Sequence, residues 1–335
     1  MRRLFMINSL ASSLLFYCSV TSAEPAELPD TLLLPEAIQE IYPTVIGSEV
    51  WIAGGISSEL PDQQGNMTAK VHYWSQKNKS WMEAPKLPEG RHHTYLQAVG
   101  EKIFAFGGFV QTQHGQWHNS NDVLMLDEKR THWRRVAALP MPISETVGAV
   151  IGNKIHLVGG RSPKGKLNGQ WQHSTDTDVH LVFDPLTFEF TRKAALPAAR
   201  NSAATAQLGE RWFVIGGRQI NGKLFNELLE YLPHEDKWLA LAEMPEARAG
   251  HAAAILHDKL YVFGGENRQG INKDILEFDF KTSQWQRIAG QEVARHGLGA
   301  VTVNDYILLI GGAKQVGLKQ TLKTTQRFTP QKNVF

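Results

Sequence analysis

The sequence predicts an all-β fold, a six-bladed β-propeller whose ring is closed by an N-terminal strand completing the last blade. Three observations predict it. A hydrophobic run ends in a Gly-Gly doublet six times, at Gly54-Gly55, Gly107-Gly108, Gly159-Gly160, Gly216-Gly217, Gly264-Gly265 and Gly311-Gly312. Their intervals of 53, 52, 57, 48 and 47 residues have the period of a propeller or solenoid. Sixteen residues before each doublet lies a slot filled by Ile38, Arg91, Ile143, Arg200, Arg248 and Arg295. Finally, Leu28–Ala37 (LPDTLLLPEA) aligns without a gap to Trp81–Gly90 (WMEAPKLPEG), a fourth strand and its exit, although no first three strands precede it.

Each unit reads as four strands. Strands one and two flank a two-residue turn at Gly47-Ser48, Gly100-Glu101, Gly152-Asn153, Gly209-Glu210, His257-Asp258 and Asn304-Asp305. A third strand follows the doublet at Asp122–Leu126, Val179–Phe183, Glu227–Tyr231 and Asp274–Phe278. The fourth opens on a large aromatic, Trp81, Trp133, Phe190, Trp238 or Trp285, expected to pack between blades. The sixth unit stops at Phe335, seven residues after Phe328 and short of an outer strand, so the spare N-terminal strand should supply it and remove an open edge. The blades run approximately 38–90, 91–142, 143–199, 200–247, 248–294 and 295–335 plus 28–37, within one domain of residues 24–335.

Met1–Ala23 reads as a secretory signal peptide. It has Arg2 and Arg3, an apolar Leu10–Val20 core and small residues before a cut after Ala23. The expected location is periplasmic or secreted, with no membrane insertion after cleavage. Removing Arg2 and Arg3 leaves 33 basic against 33 acidic residues, a balance that gives no electrostatic case for nucleic acid. The single cysteine, Cys18, goes with the signal. Disulfides, thiolate metal sites and cysteine nucleophiles are therefore excluded. His114 and His118 have metal-like spacing but no partnered cluster, so neither a metal nor a cofactor is expected.

In an up-and-down blade the start of strand one and the end of strand two share a face. That places the slots, the residues after the doublets and the strand two–three loops around one mouth. Its expected lining includes Arg91, His92, His93, Glu145, Arg161, Arg200, Asn201, Arg218, Arg248, His251, Glu266, Arg295 and His296. Arg161, Arg218 and Glu266 should lie nearest the axis. The arginines suit an anionic ligand, although a slot arginine could equally tie blades together through backbone carbonyls. Trp117 and Trp171 fall outside the core slots, on polar loops, where they could stack on a ligand or staple the loops.

Doublet, acidic-aromatic third strand, spaced tryptophan and Pro-containing exit together resemble the kelch family over essentially the whole mature chain. With the signal peptide, the Leu28–Thr31 strand and the enlarged third unit, the chain resembles in particular the periplasmic N-acetylneuraminate epimerases, or sialic acid mutarotases. That resemblance implies a small anionic carbohydrate at the mouth and anomer interconversion by general acid–base chemistry, with Glu266, His93 and Glu145 as candidate catalytic groups. Those enzymes carry a Glu after the strand-two glycine of the fourth blade and an Arg six residues on. Here Arg218 and Leu224 stand in those places, while Glu266 and Asn272 occupy the equivalents in the fifth blade. The other expected class is a non-catalytic kelch scaffold for a peptide, glycan or envelope protein. Galactose-oxidase chemistry, which needs a cysteine-linked tyrosine, is excluded.

Overall fold

The computed structural model describes residues 31–62, 65–111 and 116–330. Within them lie six antiparallel four-stranded sheets. Blades 1 to 5 comprise Thr44–Ile46, Glu49–Ala53, Val71–Ser75, Ser80–Ala84; Tyr95–Val99, Lys102–Phe106, Asp122–Leu126, Trp133–Ala138; Val147–Ile151, Lys154–Val158, His180–Phe183, Phe190–Lys193; Ala204–Leu208, Arg211–Ile215, Leu228–Leu232, Lys237–Ala240; and Ala252–Leu256, Lys259–Phe263, Asp274–Asp279, Gln284–Glu292. Blade 6 holds Gly299–Val303, Tyr306–Ile310 and Thr324–Phe328, and Thr31–Leu33 is its outer strand. Thr31 pairs with Gln326 and Leu33 with Thr324, the N-terminal closure that the orphan strand predicts. Leu28–Asp30 and the segment read as a signal peptide, with the cut expected after Ala23, lie outside the described residues, as do His114 and Phe335.

The doublets join blade to blade. In all six, the N–H of the second glycine donates to the carbonyl of the next blade's slot residue, at 2.7–2.9 Å; the last of these, Gly312 to Ile38, closes the circle. A Cβ on the first glycine would meet that same carbonyl oxygen at 2.0–2.9 Å in every blade. These glycines also have φ of 55–66°, which disfavours any other residue. The tryptophans of the fourth strands tie the outside of the ring. Trp133, Trp238 and Trp285 donate Nε1–H to the carbonyls of Pro85, Ala194 and Ala242 in the preceding blade, at 2.8, 2.9 and 2.8 Å.

The strand two–three segments are more ordered than the loops expected from sequence. Phe109–Gln111 pairs with Trp117–Asn119, Arg161–Pro163 with Ser174–Asp176, Glu266–Asn267 with Gly270–Ile271, and Ala313–Gln315 with Lys319–Thr321. Period-2 alternation is too weak over three residues to separate such stubs from polar loop.

Between blades 3 and 4 a histidine pair is buried among aromatic rings. His180 donates Nδ1–H to the Ala194 carbonyl at 3.2 Å, which leaves its Nε2 to accept from His156 Nδ1 at 2.9 Å. The rings of Trp212, Tyr231 and Trp238 lie 4.7–5.8 Å from that of His180. Burial disfavours both charged forms and lowers the two values to about 3 for His156 and about 4 for His180. The folded state therefore keeps both neutral, while the unfolded chain binds protons from about pH 6.5 downward. This contribution is complete above about pH 6.5 and lost as the pH falls toward 3–4, at a cost on the order of 5 kcal/mol by pH 4.5. Urea titrations at pH 7 and pH 4.5 should show the drop, and H156L/H180F should show a shallower one. An equal drop in the double variant would assign it to carboxylates instead.

Candidate functional site at the axial mouth

Two tiers of residues line the axis on the face carrying the strand two–three hairpins. In the first, the residue after each slot pairs with the residue after its doublet: Gln39 with Ile56, His92 with Phe109, Ser144 with Arg161, Asn201 with Arg218, Ala249 with Glu266, and His296 with Ala313. The second tier is one residue further on, at Glu40, His93, Glu145, Ser202, Gly250 and Gly297. All six have left-handed backbone, with φ of 49–61°. Five backbone bonds of 2.7–3.4 Å run between successive members round the axis, among them Glu40 to Gly297, His93 to Glu40 and Gly297 to Gly250. Four of the six are not glycine, and each holds a conformation that costs a side-chain residue roughly 1 kcal/mol or more. The ring constricts the channel into a floor. Beneath it the axial cavities are only ≈ 70 and ≈ 20 Å³, too small for a sugar.

Charged groups crowd onto this floor. Glu40 Oε2 meets His93 Nε2 at 2.8 Å, and its Oε1 lies 3.7 Å from His296 Nδ1. Burial alone would raise the Glu40 carboxyl, but His93, then His296 and Arg218, hold it well below the usual carboxylate range. Burial likewise opposes a charge on His93, yet Glu40 and Glu145 outweigh it and raise its value. A protonated His93 donates Nδ1–H to His92 Nδ1, 2.6 Å away. Burial and that neighbouring charge keep His92 neutral, well below its ordinary value. On the other side of the floor, Glu145 accepts from Ser202 Oγ at 2.6 Å and faces Arg161 at 3.7 Å.

The centre of the mouth is an ion pair across the boundary of blades 4 and 5, in which Arg218 donates to Glu266 Oε1. Burial works against the Arg218 charge, but Glu145, Glu266 and Glu40 together raise its value. The Arg218 side chain is 38 % exposed and that of Glu266 10 %. The other carboxylate oxygen, Glu266 Oε2, is buried and accepts no hydrogen bond from the described residues. The site thus offers a fixed carboxylate with a free lone pair beside a half-open guanidinium. Among the described residues, no three metal-ligating side chains come together, and no helix is long and apolar enough to cross a membrane.

The expected site residues divide into two groups. Glu266, His93, Glu145, Arg161, Arg218 and His296 meet at the mouth. The slot arginines do not. Arg91, Arg200, Arg248 and Arg295 are at most 7 % exposed, and each donates Nη1–H to the first glycine carbonyl of its own doublet, at 3.0–3.2 Å. Their Nη2 groups meet Asp122, Glu227, Asp274 and Gln326 at the third strands. In these four the guanidinium is thus engaged inside its own blade and the backbone carbonyl by the doublet of the preceding one, the blade-tying arrangement that the sequence left open for them. The Trp117 ring packs edge-on against His92 at 4.4 Å, as the loop-staple alternative expects. Trp171 stays 41 % exposed and lies over the Arg161 guanidinium at 3.9 Å. Glu40 and Ser202 were missed as site residues. Both stand two residues past a slot, as His93 and Glu145 do, and that register was the signal available.

A family profile described as the attractin/LZTR1 beta-propeller matches residues 50–322. Human Kelch-like protein 34 is 29 % identical over 233 residues, covering 68 % of this chain and 34 % of that protein. Kelch-like protein terF of Aspergillus terreus is 23 % identical over 279 residues, covering 78 % and 60 %. The chain thus spans between a third and two thirds of the length of these two relatives. A solved structure titled "Structure of YjhT" superposes with a TM-score of 0.77 over 90 % of this chain and 97 % of its own, at 19 % identity, a likeness of fold. The six doublet-linked sheets and the profile match across most of the chain agree: the protein is a kelch-type propeller belonging to the attractin/LZTR1 β-propeller family.

Proposed function

We propose that this is an exported propeller that binds a small anionic sugar of the sialic-acid type at the axial mouth and interconverts its anomers. The observation that carries this reading is the Arg218–Glu266 pair with its free Oε2. The enzymes that the sequence resembles place a Glu and an Arg within the fourth blade. Here the same two groups meet across the blade 4–blade 5 boundary, which supports a shared chemistry with altered positions. Glu266 Oε2 takes the proton of the anomeric hydroxyl, the carbon–ring-oxygen bond breaks, and the ring oxygen keeps the electron pair and takes a proton. His93, held charged by Glu40, is the candidate donor, through the Nδ1–H that it otherwise gives to His92. Reclosure on the opposite face of the carbonyl returns each proton and gives the other anomer. Arg218 and Arg161 serve the ligand carboxylate.

Proton NMR of freshly dissolved N-acetylneuraminic acid tests this directly. The protein should accelerate equilibration of the two anomers in a concentration-dependent way, and an unchanged rate would overturn the catalytic reading. A second reading, a non-catalytic scaffold, is favoured by the exposed apolar residues on mouth-side connections, Leu167, Trp171, Ile220 and Val316, each 41–63 % exposed. Line broadening of the acid without faster exchange would support it.

A further inference from the structure

The mouth does not end at the ion pair. A groove of ≈ 1130 Å³ runs outward between blades 4 and 5 on the same face, beyond the 300–1,000 Å³ of a typical small-molecule pocket. Its inner end includes Leu224 and Ile271, the direct cross-strand partners of Arg218 and Glu266. Asn272 also lines it, 7 % exposed, with an Oδ1 that accepts no hydrogen bond from the described residues. Two buried, unoccupied acceptors, Glu266 Oε2 and Asn272 Oδ1, thus sit where groove and mouth join.

The charges further out are unbalanced. Glu246 and Asp274 are neutralised by Arg287, and Asp274 also by the buried Arg248. Among the described residues, Lys223, Arg268 and Lys273 line the groove without ion-pair partners, facing the single unpaired carboxylate of Glu292. Asn221, Asn267 and Gln269 add amides that can both donate and accept. Cations spaced along a cleft of hydroxyl-matching amides fit a chain with repeated carboxylates and many hydroxyls.

We infer that the groove between blades 4 and 5 is an extended subsite for an acidic oligosaccharide, whose reducing-end unit reaches the Arg218–Glu266 pair. This rests on the anionic-sugar reading of the mouth and specifies its substrate as the end of a chain. Only the reducing end carries a free anomeric hydroxyl, so the remaining units must leave the mouth laterally, and this groove is the way out beside Glu266.

Calorimetric titration of the full chain with N-acetylneuraminic acid and its α2,8-linked dimer and trimer tests the inference. Affinity should rise about tenfold with the first added unit, and the gain should weaken with added salt. In R268A/K273A, two exposed groove positions, the trimer-to-monomer affinity ratio should fall to about one. A trimer that binds no tighter than the monomer overturns the groove assignment while leaving the mouth reading intact, as does a ratio unaffected by the double variant. A tetraglutamate peptide that binds as tightly as the trimer overturns the assignment to sugar. Binding of none of these probes removes the groove and the mouth reading together.

Discussion

Deleting Glu24–Ala37 is expected to abolish the cooperative unfolding transition and drive the protein into aggregates. The segment contributes the Thr31–Leu33 ladder to blade 6 and a further backbone bond from Leu34 to the Lys323 carbonyl, at 2.6 Å. It also contributes Leu34, only 3 % exposed, to the core between blades 6 and 1, and buries Ala37 to 1 %. Truncating a leucine buried to that degree costs about 2–5 kcal/mol by itself, against a total stability of about 5–15 kcal/mol for a typical domain. The deletion further strips the outer edge of blade 6, leaving the Thr324–Phe328 strand open to pair with another molecule. Size-exclusion chromatography and urea unfolding check the result. As a graded control, Leu34→Ala should remain monomeric and folded but unfold at lower urea. A truncated chain as soluble and stable as the full one would show that the doublet-to-slot bonds close the ring alone.

Those bonds explain why the architecture was legible in the sequence. A first glycine whose Cβ would meet a neighbouring carbonyl at 2.0–2.9 Å cannot be replaced without moving a blade, so the doublet keeps its place in every repeat. The slot arginine repeats for a similar reason, since its Nη1 reaches the doublet carbonyl sixteen residues later in the same blade. That regularity is a poor guide to ligand groups. A feature present in four blades of six answers a need that every blade has, whereas a site for one small ligand needs residues that break the repeat. Positions after the doublets read Ile56, Phe109, Arg161, Arg218, Glu266 and Ala313, with the charged members confined to three adjacent blades. Two past the slots, Glu40, His93, Glu145 and Ser202 give way to Gly250 and Gly297. Spatial pairings such as Arg218 with Glu266 join residues 48 apart on different blades, and only the closed ring brings them into contact.

Glu266→Gln should lower anomer exchange by about 10²–10⁴-fold, the range for removing a general base, with the unfolding midpoint nearly unchanged. The fold should tolerate the change because Oε2 makes no hydrogen bond to the described residues and the glutamine carbonyl can still accept from Arg218. Arg218 also keeps Glu145 and Glu40 as nearby countercharges. Chemistry should not tolerate it, since an amide has no lone pair basic enough to take the anomeric proton. Arg218→Ala separates two roles that the ion pair combines. Losing a charge-assisted bond to the ligand carboxylate should weaken binding by about 1.5–3 kcal/mol, or roughly 10–150-fold. It also leaves the buried Glu266 carboxylate without its cation, so exchange at saturating ligand should fall as well. A ligand-binding role alone would change affinity and leave the saturated rate in place. If Glu266→Gln exchanges anomers at the native rate, Glu266 is not the base, and the charged His93 with its Glu40 partner becomes the group on which proton transfer must be tested.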